Sequence, residues 1–178
     1  DPPVVLNERW DLYQLNENVL KQDFALITNN RISQKLSKSN TLIGPPSSLF
    51  IEEGAKIEGA ILNTEAGPIY VAKNAEIMEG SLIRGGFALC ENACVKMGAK
   101  IYGATSIGPY CKVGGELNNV IFQSFSNKGH DGFLRNSVIG EWCNLGADTN
   151  TSNLKNNYSS VKTYSYVDNA EIQTDIQF

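Results

Sequence analysis

Residues 71–113 read VAKNAE-IMEGSL-IRGGFA-LCENAC-VKMGAK-IYGATS-IGPYCK-V when broken at every sixth position. An aliphatic residue opens each group: Val71, Ile77, Ile83, Leu89, Val95, Ile101, Ile107 and Val113. A helix repeats its apolar residues every three to four positions and a half-buried strand every two, so neither explains the pattern. A period of six is that of a parallel β-helix, in which each hexad makes one short strand and one turn and the coils stack. The position four residues on agrees, because a side chain turned inward beside a corner must be small. Ala75, Ser81, Ala93, Ala99, Thr105 and Cys111 satisfy it, while Phe87 and Leu117 do not. Asn74, Gly80, Gly86, Asn92 and Gly98 fill the slot between, where a tight bend favours residues that tolerate a left-handed backbone. The expected fold is all-β: a hexapeptide-repeat parallel β-helix, with stacked residues roughly 4.8 Å apart.

Outward from this block the count becomes irregular. Ile51 and Ile57 are in register, but Val71 comes two positions late, which predicts a bulge around residues 63–68. A second slip follows Val113, after which Phe133, Ile139 and Leu145 resume the count, with Ser137, Cys143 and Thr149 at the corners. A loop or a distorted coil is therefore expected between Asn118 and Gly132. Phe133 is expected to point into the core. Beyond Asn153 the pattern fades, although Val161 and Val167 again stand six apart. Residues 1–40 lack the repeat. Asn16 or Asn18 can cap a short helix with Val19, Leu20, Phe24 and Ile27 on one face. The polar stretch 29–40 reads as a connector. The helix would cover the open end of the stack or join it to something upstream. The division is thus 1–40, a helical connector or cap, and 41–178, the β-helix. An opening Asp and a stack still running at Phe178 read as a piece of a longer chain, or one whose end a neighbouring copy covers.

The 178 residues carry a net charge of −4, without a basic cluster interleaved with aromatics, so nucleic acid is not an expected partner. No stretch has the length and apolarity to span a membrane, and no signal peptide opens the chain, which points to the cytoplasm. The four cysteines form no CxxC pair. Cys111 and Cys143 fall at small corners and behave as packing residues, so free thiols and no metal are expected.

His130 is the only histidine. It lies in Ser126-Asn127-Lys128-Gly129-His130-Asp131-Gly132, a polar, glycine-flanked stretch at the second slip. An imidazole titrates near neutrality and suits the removal of a proton from an amine or hydroxyl. A single histidine also rules out a carbonic anhydrase on this fold, whose zinc needs three.

The stretch 127–130, followed by Asn144-Leu145-Gly146-Ala147-Asp148-Thr149 and then Asn153, resembles the acetyltransferase domain of bifunctional N-acetylglucosamine-1-phosphate uridyltransferases. That family shows K-A-G-H, then N-I-G-A-G-T, then an asparagine in an N-Y-D context. The gaps of fourteen residues from His130 to Asn144 and nine from Asn144 to Asn153 match without insertion, and Glu116 falls where the family has a glutamate. Sugar nucleotidyltransferase-like proteins with this β-helix appended are similar as well. The resemblance implies a left-handed coil and a homotrimer whose pocket lies between subunits, with an upstream nucleotidyltransferase domain. It implies acetyl transfer from acetyl-coenzyme A to an amino sugar phosphate such as glucosamine 1-phosphate. His130 would be the general base, Glu116 would support the amine or the base, and Asn144 and Asn153 would hold the sugar. The family's phosphate-gripping lysine corresponds to Asn118, which carries no charge, so Lys128 or Lys100 would have to replace it. The family's tyrosine three residues after the histidine corresponds to Phe133. The same resemblance admits a non-catalytic reading, a domain that trimerises and regulates a nucleotidyltransferase.

Overall fold

A computed structural model describes residues 4–151 and 156–174. About six coils stack as a left-handed parallel β-helix with three flat faces. Face one carries β1 (Thr41–Ile43), β4 (Ile61–Asn63), β7 (Leu82–Arg84) and β10 (Lys100–Tyr102). Face two carries β2 (Leu49–Ile51), β5 (Ile69–Val71), β8 (Phe87–Leu89) and β11 (Thr105–Ile107). Face three carries β3 (Lys56–Ile57), β6 (Glu76–Ile77), β9 (Cys94–Val95), β12 (Lys112–Val113) and β14 (Asn127–Lys128). The longer β13 (Glu116–Phe122) and β15 (Phe133–Ile139) turn from face one onto face two without a break, joining both faces into one sheet. Asn119 and Asn136 make that turn at φ of 56° and 45°, their side-chain amides 2.9 Å apart. Asparagine tolerates this backbone better than most residues.

The six-residue count describes the core well. All eight aliphatic residues from Val71 to Val113 are at most 1% exposed. Each is worth about 1.5–3 kcal/mol of burial, and together they form one continuous cluster. Asn74, Gly80, Asn92 and Gly98 take positive φ as their slot requires; Gly86 does not. The late arrival of Val71 is absorbed between β4 and β5, where residues 64–68 form the wider corner.

The second slip is a shortened coil rather than an inserted loop. Leu82 pairs with Lys100, 18 residues on, but Lys100 pairs with Glu116, only 16 on. Leu117 therefore moves out of the corner count and into the aliphatic column, between Ile101 and Leu134. This overturns the expected place of Phe133. Leu134, 1% exposed, takes the core position, and Phe133 faces outward beside Glu116. A strand alternates sides at every residue, so one step of phase reverses the assignment. Ile139 and Leu145 do pack against the core.

At the N-terminus the helix α1 (Asp11–Thr28) starts earlier than expected. Its first turn is held by Asp11, whose carboxylate accepts from the N–H groups of Asn7 and Glu8 at 2.8 and 2.9 Å. Asn16 is not its cap but a buried anchor inside it. The Asn16 amide donates to the Ala104 carbonyl at 2.8 Å, and its oxygen accepts from Ser106 at 2.9 Å. The helix thus lies along the flank against β11, β13 and β15, and not over the end of the prism. The polar stretch after it does the covering. Gln34 N–H donates to the Ile51 carbonyl at 2.7 Å, and the Asn40 amide donates to Ile57 O at 2.7 Å while accepting from Ala60 N–H at 2.9 Å. Side-chain amides there stand in for a missing strand. The far segment also departs from expectation: β16 (Lys162–Ser165) and β17 (Ala170–Gln173) form an antiparallel hairpin. Val167 in its turn is 96% exposed, so the Val161–Val167 spacing is coincidental.

Candidate functional site

Short strands fix which side chains face out. On face one, the outward residues of β10, β13 and β15 are Lys100 and Tyr102, then Glu116 and Asn118, then Phe133 and Arg135, in paired register. The inward partners Ile101, Leu117 and Leu134 anchor all three strands. Tyr102 donates its hydroxyl to Glu116 Oε1 at 2.5 Å. That bond, more than burial, holds the phenol above its ordinary value, while Asn118 and the Arg135 charge act in the opposite direction. Glu116, Asn118, Tyr102 and Arg135 are therefore one electrostatic group.

His130 lies at the bend between β14 and β15, the corner leading from face three into face one, and it is solvent-exposed. The chain there presses against the corner below it. Glu116 N–H donates to Gly132 O at 3.1 Å, and a Cβ on Gly115 would approach the His130 and Gly132 carbonyls to 2.9 and 2.7 Å. Only glycine leaves room at Gly115, whose φ is +72°. His130 is thereby held next to the start of β13, where Glu116 begins the polar group. Asn144 lies on the other flank of the corner. It is exposed on face three and bridges to Asn127, three residues before His130. The polar residues named from the sequence therefore straddle one edge of the prism, with Glu116 and Asn118 on one side and Asn144 on the other. Asn153 lies outside the described residues.

Lys128 differs from the rest. It occupies the inward station of β14, beside Val113, with 0% exposure, and cannot reach a ligand on the surface. Lys100 is exposed on face one in register with Glu116. Two residues of this surface escaped the sequence reading, Tyr102 and Arg135. Arg135 pairs with Asn118 and puts a guanidinium one coil beyond the uncharged asparagine. Only the strand register could have shown this, and the register depends on the shortened coil.

Among the described residues no cluster of three or more His, Cys, Asp or Glu could hold a metal, and the four cysteines are unpaired. No helix among them is long and apolar enough to cross a membrane.

The stacked hexapeptide coils define a parallel β-helix protein. The particular similarity is to proteins named bifunctional protein GlmU. One, from Aliarcobacter butzleri, is 27% identical over 190 aligned residues, covering 99% of this chain and 40% of that protein. Another, from Synechococcus elongatus, is 21% identical over 171 residues, covering 84% of this chain and 38% of that protein. The chain thus spans about two fifths of the length of the curated relatives it matches. No family model matches it.

Proposed function

We propose that this chain is an acyl-transfer domain of nucleotide-sugar biosynthesis, moving acetyl from acetyl-coenzyme A to the amine of an amino sugar phosphate. The observation that carries the reading is the exposed imidazole of His130, held at a rigid corner directly before the Tyr102–Glu116–Arg135 group. In the proposed reaction the amine nitrogen attacks the thioester carbonyl while His130 takes the proton it sheds. The tetrahedral oxyanion is stabilised by N–H donors. The C–S bond then breaks, and the departing thiolate receives the proton from the imidazolium. Glu116 orients the amine, Asn144 and Asn153 hold the sugar, and Arg135 supplies the phosphate charge that Asn118 cannot.

Residues on two flanks of one edge converge on a ligand most readily if another copy closes the cleft, which favours the homotrimer. A linked nucleotidyltransferase domain and a cytoplasmic setting belong to the same reading. The similarity to bifunctional proteins along nearly the whole chain supports it.

The assembly reading, a trimerising domain without catalysis, draws on two observations: Asn118 is uncharged, and Lys128 is buried. Release of free thiol from acetyl-coenzyme A in the presence of a panel of amino sugars separates the two. His130→Ala is expected to lower the rate by about 10² to 10⁴ while leaving oligomer size unchanged. An unaltered rate removes the base. No turnover on any amine, together with a trimer, leaves the assembly reading.

A further inference from the structure

The core-facing column of face three runs Ile57, Ile77, Val95, Val113 and then Lys128. An ammonium group in an aliphatic column is costly unless its donors find acceptors. Here the acceptors are specific. Lys128 Nζ donates to His130 O at 2.9 Å and to Gly114 O at 3.3 Å. The first carbonyl belongs to the histidine corner and the second to the corner one coil below. Gly114 N–H in turn donates to Lys128 O at 2.7 Å. The space Nζ occupies exists because residue 115 is glycine, since a Cβ there would lie 2.9 Å from it.

We propose that Lys128 is a positioning residue for His130: sealed inside the prism, its ammonium fastens the His130 carbonyl to the preceding corner and so fixes the direction in which the imidazole leaves the edge. The proposal rests on the reading of His130 as the base, but its mechanical part does not. A leucine or valine at this station would continue the column and leave the His130 carbonyl without that donor. A surface lysine would have no way to act on the corner from within. Burial pushes the amine below its ordinary value, with the carboxylates of Asp131 and Asp148 opposing, which agrees with an enclosed group.

The lone histidine makes the test unambiguous, because one imidazole gives one set of carbon-bound proton signals. In Lys128→Met, which keeps length and volume but no donor, cooperative unfolding is expected to persist while the imidazole signals shift and broaden. In the thiol-release reaction the same variant should lose roughly ten- to a hundredfold in kcat with KM within about twofold. Lys128→Gln, which retains an N–H donor, should move the imidazole signals back toward those of the unaltered chain. A folded Lys128→Met with unchanged imidazole signals and unchanged kcat overturns the proposal. Reductive methylation of the unaltered chain supplies evidence independent of any variant: it should mark the exposed Lys35, Lys38 and Lys73 and spare Lys128. Methylation of Lys128 as fast as those three overturns the proposal even if neither variant folds. If the unaltered chain transfers no acetyl group, the proposed function fails, and the imidazole signals alone decide the role of Lys128.

Discussion

At the scale of single residues, the site depends on which side of its strand each side chain takes. Arg135 and Phe133 face out because Leu134 faces in, and the three share one strand. If Arg135 holds the phosphate of an amino sugar phosphate, Arg135→Ala should raise KM for a phosphorylated acceptor by roughly tenfold. The same change should leave an unphosphorylated amine nearly unaffected. Steady-state kinetics with the two acceptors checks this, and equal losses on both would dismiss the phosphate role. The hexad count made the eight aliphatic core positions legible, because period six persists wherever coils keep their length. It could not place Phe133, Leu117 or Arg135, because a coil of 16 residues followed by one of 17 leaves no mark in composition, and the odd count reverses sides. His130 and Glu116 were legible through spacing and resemblance. Lys128 was recognisable as a polar residue next to the histidine, but nothing local distinguishes a lysine facing in from one facing out.

At the scale of elements, both flanking segments take roles that sequence periodicity does not disclose. The helix showed itself through Val19, Leu20 and Phe24, yet its docking is decided by Asn16, whose bonds to Ala104 and Ser106 hold it on the flank. The polar stretch 33–40 seals the first coil by borrowing amide groups from Gln34 and Asn40. Exposed strand edges invite pairing with other chains, and polar side chains that occupy the edge prevent it. Asn40→Ala removes both the donor to Ile57 O and the acceptor for Ala60 N–H. It should cost about 1–3 kcal/mol in denaturant unfolding and increase concentration-dependent aggregation. A loss near zero would mean that water replaces the amide. Three aromatic side chains mark another corner: Tyr110, Phe125 and Trp142 stack at centroid distances of 5.0 and 4.8 Å, all at positive φ. Stacking of this kind contributes about 0.5–1.5 kcal/mol per pair, comparable with the cost of that backbone in a bulky residue.

At the scale of the whole molecule, the first coils are held by a charged cluster whose response to pH has a definite sign. Arg31 pairs with Glu52, Tyr70 donates to Glu52 at 2.5 Å, and Lys73 N–H donates to it at 2.9 Å. Burial works against the Glu52 charge, but these donors outweigh it and keep the carboxyl below its ordinary value. Burial and the Glu52 bond push Tyr70 from 10.0 up to about 12. A group whose folded value is raised stabilises fully below its unfolded value and loses that contribution as pH climbs through the folded one. Stability should therefore decline between about pH 10 and 12, and Tyr70→Phe should flatten the decline. Lys128 has the opposite sign. Its lowered folded value makes the chain gain stability as pH rises from that value toward 10.5, so Lys128→Met should remove that rise and leave the Tyr70 decline above 10.5 unchanged. Denaturant midpoints across that range measure both, and a Tyr70→Phe profile parallel to that of the unaltered chain would refute the assignment.

A column of constant girth presents only flat walls to a small molecule. The circuit from Lys100 to Glu116 uses less chain than the one before it, because β13 rounds its corner as one unbroken strand. That saving falls at the level of Glu116, just ahead of the imidazole, and breaks the repeat where the polar residues gather.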